Sequence, residues 1–158
     1  MKARSCRRCN RAVPPPRRNW CGQECVDAYL FENHQSVRRA KVKERDRGIC
    51  ADCGLDTVAL ARALRRLENA TWRRGRAGCG RIRTAQWMRA REIKRALRIP
   101  SHRFDEFWDA DHIVPQAEGG PHSMENLRTL CIWCHRRVTA DLHARLAVRR
   151  RLTAGATA

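Results

Sequence analysis

The chain has 158 residues, which allows one modest domain and a small accessory unit. Lysine and arginine number 34 against 16 acidic residues, and the resulting formal charge of +18 is spread along the whole sequence. A surface this positive attracts polyanions, so nucleic acid is the expected partner, with a solvated basic surface as the alternative. The basic start runs into "RAVPPPRRNW" rather than a secretory signal, and no stretch approaches the ~18 apolar residues of a membrane span.

The nine cysteines fall mainly into closely spaced pairs, with Cys79 alone. Without a visible signal peptide, such pairs are typical of metal sites, because neighbouring thiolates can converge on one ion. We therefore expect a reducing compartment, a cytoplasm or a nucleus, and predict cytoplasmic localisation. Cys79 is interpreted as an ordinary residue.

The first 26 residues predict a small zinc-binding unit. C-x2-C, eleven residues and C-x3-C give a closed site of four thiolates with no position left for chemistry. Metal binding would supply folding energy that some twenty residues cannot obtain from a core. Free cysteines in a flexible arm are the alternative. The predicted ligands are Cys6, Cys9, Cys21 and Cys25.

Three helices are predicted next. Gln23 to about Asp46 lacks Pro and Gly, and is interpreted as a basic helix that faces phosphates or is a solvated connector. Apolar residues at helical spacing predict helices over Thr57–Thr71 and Thr84–Leu97, separated by the glycine-containing loop "RRGRAGCGR".

The segment from Phe107 to Leu146 predicts a hairpin followed by a helix. "FWDADHIVP" and "NLRTLCI" read as strands around the turn "QAEGGPHS", and "WCHRRVTADLHARL" reads as a helix. This order brings the first strand near the first helical turn, so Asp111, His112 and His135 are expected to converge. His122, in the turn, is interpreted as a solvated residue, with substrate contact as the alternative.

These residue types suit phosphodiester hydrolysis. Asp111 and His135 can supply two ligands to a divalent metal and leave positions open for water and phosphate. His112 points to the other side of the strand and is available as a general base. Asn126 ends the turn, where its amide can bind backbone groups and fix the loop. Asp109 alternates with Asp111 and is a candidate for supporting the metal site.

Asp111-His112, Asn126 and His135, with "GG" in the turn and "LCxxCH" before the helix, resemble the HNH (ββα-metal) endonuclease motif. The lead-in "KVKERDRGICADCG" is similar to that of zinc-containing HNH domains. The resemblance covers most of residues 42–146, and residues 56–106 look like an insertion.

The resemblance implies that His112 is the general base, that Asp111 and His135 hold the catalytic metal, and that Asn126 is structural. Some members carry a further metal-binding histidine where this chain has Thr139, so a more open coordination by Mg²⁺ or Mn²⁺ is expected. It also implies a second structural zinc that joins the lead-in to the hairpin and helix; two unrelated cysteine pairs are the alternative. Its ligands would be Cys50, Cys53, Cys131 and Cys134.

The predicted fold class is therefore α+β and mostly helical, with a ββα-metal core, a bridging structural zinc, a helical insertion and a small N-terminal zinc unit. The predicted function is metal-dependent hydrolysis of DNA, and the alternative is a non-catalytic zinc-stabilised nucleic-acid-binding protein. One motif implies that each active site cuts one strand, so double-strand cleavage would need a dimer or two successive binding events. The predicted units are residues 1–26, a connecting basic helix at 27–47, an endonuclease domain at 48–150 with the insertion at 56–106, and a tail at 151–158.

Overall fold

The computed structural model describes residues 4–69, 85–100 and 106–155. Over these ranges the fold is α+β and rich in helix, with a two-stranded sheet, as predicted. None of the helices in these ranges is long and apolar enough to cross a membrane. The elements in chain order are α1 (Gln23–Asn33), α2 (Gln35–Asp46), α3 (Thr57–Asn69), α4 (Ala85–Ala96), β1 (Trp108–His112), β2 (Leu127–Cys131) and α5 (Ile132–Gly155), with a single 3₁₀ turn at Gln116–Glu118.

The hairpin and α5 form one continuous ββα unit. β1 and β2 pair antiparallel, with Trp108 opposite Cys131 and His112 opposite Leu127. α5 begins at the residue that follows β2, so no loop separates the strand from the helix. The predicted hairpin and helix are therefore present, and α5 continues through residues 151–155.

The two faces of the hairpin pack against different helices. Trp108 and Leu127 are 2% exposed and form a cluster with Val42 of α2. On the opposite face, Leu130 is fully buried in a second cluster, against which Trp133 and Val138 of α5 pack. Because side chains alternate along a strand, residues 109 and 111 of β1 fall on the α5 side.

The end of α2 is fastened to β2 by charged side chains. The guanidinium of Arg45 donates to the carbonyl oxygens of Met124 and Leu127, each at 2.6 Å. Asp46 Oδ2 accepts from the backbone N–H of Thr129 at 3.0 Å and from its hydroxyl at 2.9 Å. These bonds fix the helix that precedes Cys50 against the strand that ends at Cys131.

The prediction of a single helix from Gln23 to Asp46 is wrong, because His34 interrupts the helix and divides it into α1 and α2. His34 has extended backbone angles (φ −118°, ψ 110°) and separates α1 from α2. The carbonyls at the end of α1 are satisfied by Arg38 of α2, which donates to Phe31 O at 2.9 Å and to Glu32 O at 2.8 Å. Side-chain hydrogen bonds from the next helix therefore take the place of the intrahelical bonds that a continuous helix would make.

α3 and α4 pair beside this core. Asp56 caps α3 by accepting from the N–H of Ala59 at 2.8 Å. Trp133 Nε1 donates to the carbonyl of Leu97 at 2.6 Å, which joins the segment after α4 to the first turn of α5. The loop predicted between these helices, Thr71, Cys79 and Thr84 lie outside the described residues.

Candidate functional site

The N-terminal cysteines converge as the sequence predicts. One sulfur from each of Cys6, Cys9, Cys21 and Cys25 lies within 4.8 Å of the other three. The measured Sγ–Sγ distances of 3.4 Å for Cys9–Cys21 and 3.5 Å for Cys21–Cys25 are close to the ~3.8 Å edge of a tetrahedral zinc–thiolate site. The backbone N–H of Cys9 is the largest of the influences that lower the pKa of Cys6 to about 6.

The second cysteine cluster joins the segment after α2 to the end of β2 and the start of α5. Its four sulfurs also lie within 4.8 Å of one another, and Cys53 Sγ is 3.7 Å from Cys131 Sγ. Burial raises the pKa of Cys50, but backbone N–H groups of Cys131, Cys53 and Asp52 outweigh it and bring the pKa to about 7. A thiol that ionises this readily fits a zinc ligand. The cluster consists of Cys50, Cys53, Cys131 and Cys134.

Asp111 and His135, the predicted ligands of the catalytic metal, face each other across β1 and α5. Asp111 Oδ1 is 3.8 Å from His135 Nε2. Asp109 lies on the same face of β1, with its Oδ2 at 3.4 Å from His135 Nδ1. The imidazole is therefore placed between two carboxylates, one at each ring nitrogen. The side chains of Asp109 and Asp111 are 16% and 17% exposed, so both charges are largely shielded from water.

The surroundings of Asp111 fit a divalent cation. Asp111 Oδ2 is buried and has no hydrogen-bond partner among the described residues. Arg128, which pairs with Asp111 across the hairpin, approaches the same oxygen at 3.6 Å and is itself held by Asp52 at 3.2 Å. A buried carboxylate with a spare oxygen, beside an imidazole nitrogen, is a donor set that accepts Mg²⁺ or Mn²⁺. Asp52 lies between two cysteines of the second cluster, so Arg128 connects the two sites.

His112 occupies the last position of β1, on the face opposite Asp111. Its Nε2 is 3.0 Å from His122 Nδ1, and the ring of His122 also contacts the amide of Gln116. Burial lowers the pKa of His112, His122 and Arg38 lower it further, and Asp111 opposes them. A lowered pKa favours the neutral form of the imidazole, which is the form that can accept a proton.

Asn126 fixes the turn that follows β1. Its Oδ1 accepts from the N–H of Val114 at 2.8 Å, and its Nδ2 donates to the carbonyls of Val114 at 3.0 Å and Pro121 at 2.8 Å. Gly120 lies against this group, where a methyl would overlap the carbonyl of Val114. The Asn126 side chain therefore holds the loop that begins two residues after His112. This is the backbone bonding that the sequence predicted for Asn126.

Two contacts of the site were missed by sequence reasoning. His122 is half-buried and its ring contacts that of His112, because the turn folds back on the end of β1. Arg39 of α2 donates to Asp109 at 3.1 Å, across 70 positions of sequence. The alternation of Asp109 with Asp111 was the available signal for Asp109, whereas no spacing rule connects Arg39 or His122 with the site.

Comparison with known proteins shows which family and which relatives this chain resembles. Residues 99–141 match the family model described as HNH endonuclease. The chain is 31% identical over 131 residues to "DNA annealing helicase and endonuclease ZRANB3" of Mus musculus, and 29% identical over 130 residues to that of Homo sapiens. These matches cover 77% of the chain but 11% of the relatives' length. The crystal structure of the human ZRANB3 HNH domain has 30% sequence identity and a TM-score of 0.46, with 75% of this chain and 97% of that chain covered.

Proposed function

Because this chain belongs to the HNH endonuclease family, we propose that it is a metal-dependent endonuclease that hydrolyses phosphodiester bonds of DNA. The observation that carries the proposal is the 3.8 Å approach of Asp111 Oδ1 and His135 Nε2, beside a buried Asp111 Oδ2 that has no hydrogen bond among the described residues. Two such donors would hold Mg²⁺ or Mn²⁺ and leave its other positions open.

His112 is the proposed general base. Its neutral imidazole takes a proton from the water that attacks phosphorus, which makes the water a stronger nucleophile as the bond to the leaving oxygen breaks. A bound divalent ion would stabilise the charge that develops on the phosphate and on the leaving 3′-oxygen. Asn126 keeps the adjacent loop in place and does not contact the reacting atoms.

The structural zinc ions are proposed to position these groups. The cluster at Cys131 and Cys134 would fix the first turn of α5 and therefore the rotation of His135, which is about 100° further around the helix than Cys134. The N-terminal unit at residues 1–26 and the insertion at 56–106 would contact the DNA backbone, since basic side chains bind phosphates without reading sequence.

The test is cleavage of supercoiled and linear duplex DNA by the full chain, loaded with zinc and supplied with Mg²⁺ or Mn²⁺. We expect His112→Ala to lower the cleavage rate by at least about 100-fold, the lower range for a lost acid–base group. His135→Ala, which removes a proposed metal ligand, should lower the rate as well. His143→Ala is the matched control, because His143 is exposed on the same helix, and it is expected to cleave at the unaltered rate. Cleavage that survives His112→Ala would contradict the proposal. Binding without cleavage under every metal and DNA condition would favour the non-catalytic alternative.

A further inference from the structure

Two carboxylates of β1 contact His135 through different ring nitrogens. Asp109 Oδ2 lies 3.4 Å from Nδ1, and Asp111 Oδ1 lies 3.8 Å from Nε2. A neutral imidazole has one N–H and one lone pair, and the nitrogen that donates to a second group decides which nitrogen is left to bind a metal. The side chain that faces Nδ1 can therefore determine whether Nε2 is available beside Asp111.

Asp109 is held in place from the other side by Arg39. Arg39 Nη1 donates to Asp109 Oδ1 at 3.1 Å, and Nη2 donates to Glu106 at 2.8 Å. The guanidinium also lies 4.3 Å above the ring of Trp108. Its side chain is 21% exposed, so the arginine is fixed by stacking and ion pairing rather than mobile in solvent.

The two carboxylate oxygens of Asp109 contact different partners. Oδ1 is bonded to the guanidinium, and only Oδ2 faces the imidazole. Because Arg39 balances its charge, Asp109 is suited to accept an N–H rather than to compete as a third metal ligand. Asp111 differs in that its Oδ2 has no hydrogen bond among the described residues and is approached by Arg128 only at 3.6 Å.

We propose that Asp109 is a positioning residue, anchored by Arg39, that accepts the Nδ1 proton of His135 and directs Nε2 of that ring toward Asp111. The inference rests on the proposed function, since it concerns the same metal site. A carboxylate behind a metal-binding histidine fixes the tautomer and the ring orientation, and its loss typically weakens metal affinity about 10–100-fold.

The first test measures Mn²⁺ binding to the zinc-loaded, DNA-free protein, by the electron paramagnetic resonance signal of free Mn²⁺. We expect Asp109→Ala to raise the dissociation constant about 10–100-fold, and Asp141→Asn, which alters an exposed carboxylate of α5, to leave it unchanged. Zinc content and the thermal unfolding midpoint verify that each variant folds. Arg39→Met keeps Asp109 but removes its anchor, so it is expected to give a smaller rise and serves if Asp109→Ala does not fold.

The second test reads the histidine itself. Long-range ¹H–¹⁵N spectra of the zinc-loaded, Mg²⁺-free protein should show His135 with its proton on Nδ1 in the wild type, and a mixture of tautomers in Asp109→Ala or Arg39→Met. Weaker Mn²⁺ binding with an unchanged tautomer would identify Asp109 as a metal ligand and overturn the inference. Unchanged Mn²⁺ affinity in folded Asp109→Ala would overturn it while leaving the proposed function intact. Absence of Mn²⁺ binding by the wild type would overturn both.

Discussion

Replacing Asn126 by aspartate should destabilise the protein although the two side chains have the same shape. Asn126 is 8% exposed, and its Nδ2 donates to the carbonyls of Val114 and Pro121. In the variant, an oxygen takes the place of that nitrogen and faces both carbonyl oxygens. The bond from the N–H of Val114 to the remaining oxygen can persist. The substitution therefore removes two hydrogen bonds and brings a negative charge against two acceptors.

The magnitude follows from these contacts. Each lost bond contributes about 1 kcal/mol, and leaving polar groups unsatisfied adds about 1–3 kcal/mol. We expect Asn126→Asp to lower the free energy of unfolding by about 3–5 kcal/mol, as measured by urea denaturation followed by circular dichroism with zinc present. Asn126→Ala, which loses three bonds but introduces no charge, is the comparison. The aspartate variant should be no more stable than the alanine variant at pH 8.

The pH dependence tests the cause. Because the folded variant disfavours the ionised carboxyl, the folded state binds its proton more tightly than the unfolded state, so its stability declines as pH rises above about 4. The loss relative to wild type should therefore grow with pH from about 4 up to the raised pKa of the folded variant, and stay constant above it. A loss below about 1 kcal/mol, less than the two lost bonds alone, or an aspartate variant clearly more stable than the alanine variant, would refute the reasoning.

Three further predictions test other parts of the fold. Gly120→Ala, whose methyl would overlap a backbone carbonyl, should lower the unfolding free energy more than Gly119→Ala, which has open space and only a positive φ of 89°; thermal unfolding of the pair measures this. Asp46→Asn should lower the unfolding free energy by about 1.5–3 kcal/mol, because it removes hydrogen bonds to a charged group. The pKa of Asp46 is lowered, chiefly by its hydrogen bond with Arg45. The loss of stability should therefore be constant from pH 6 to 8 and should become smaller only below about pH 4. Metal analysis should find about two zinc ions per chain in the wild type and one fewer in Cys6→Ser or Cys50→Ser, and only Cys50→Ser should also weaken Mn²⁺ binding; equal weakening in both would contradict the separate roles of the clusters.

Local patterns were sufficient to predict the elements that carry the site. Alternation around Asp111, the turn residues and the helical spacing after Cys134 each depend on a few neighbouring residues, and each cysteine pair obeys the spacing of metal sites. That the pairs at 50/53 and 131/134 join in one cluster was implied by the family resemblance and not by local spacing. The roles proposed for His112 and Asn126 stay predictions until variants are assayed.

Contacts between distant segments were not predictable in the same way. At the break near His34, the Arg38 side chain bonds the carbonyls at the end of α1, a contact between two helices that helical propensity does not describe. The bond from Arg39 to Asp109 forms only after α2 has packed on the hairpin. A single sequence offers no signal for such pairs, since each partner is an ordinary charged residue until the fold brings them together.

The absence of a loop between β2 and α5 has a consequence for how the protein folds. A hairpin paired one residue out of register would turn Cys131 to the opposite face and shift it by about 3.3 Å along the strand. Its sulfur would then no longer meet those of Cys50 and Cys53, and a four-thiolate site could not close. The correct register is also the one that sets Asp111 opposite Arg128 and near His135. Zinc binding would therefore stabilise the hairpin only in its native register, and strands paired in another register could separate and pair again.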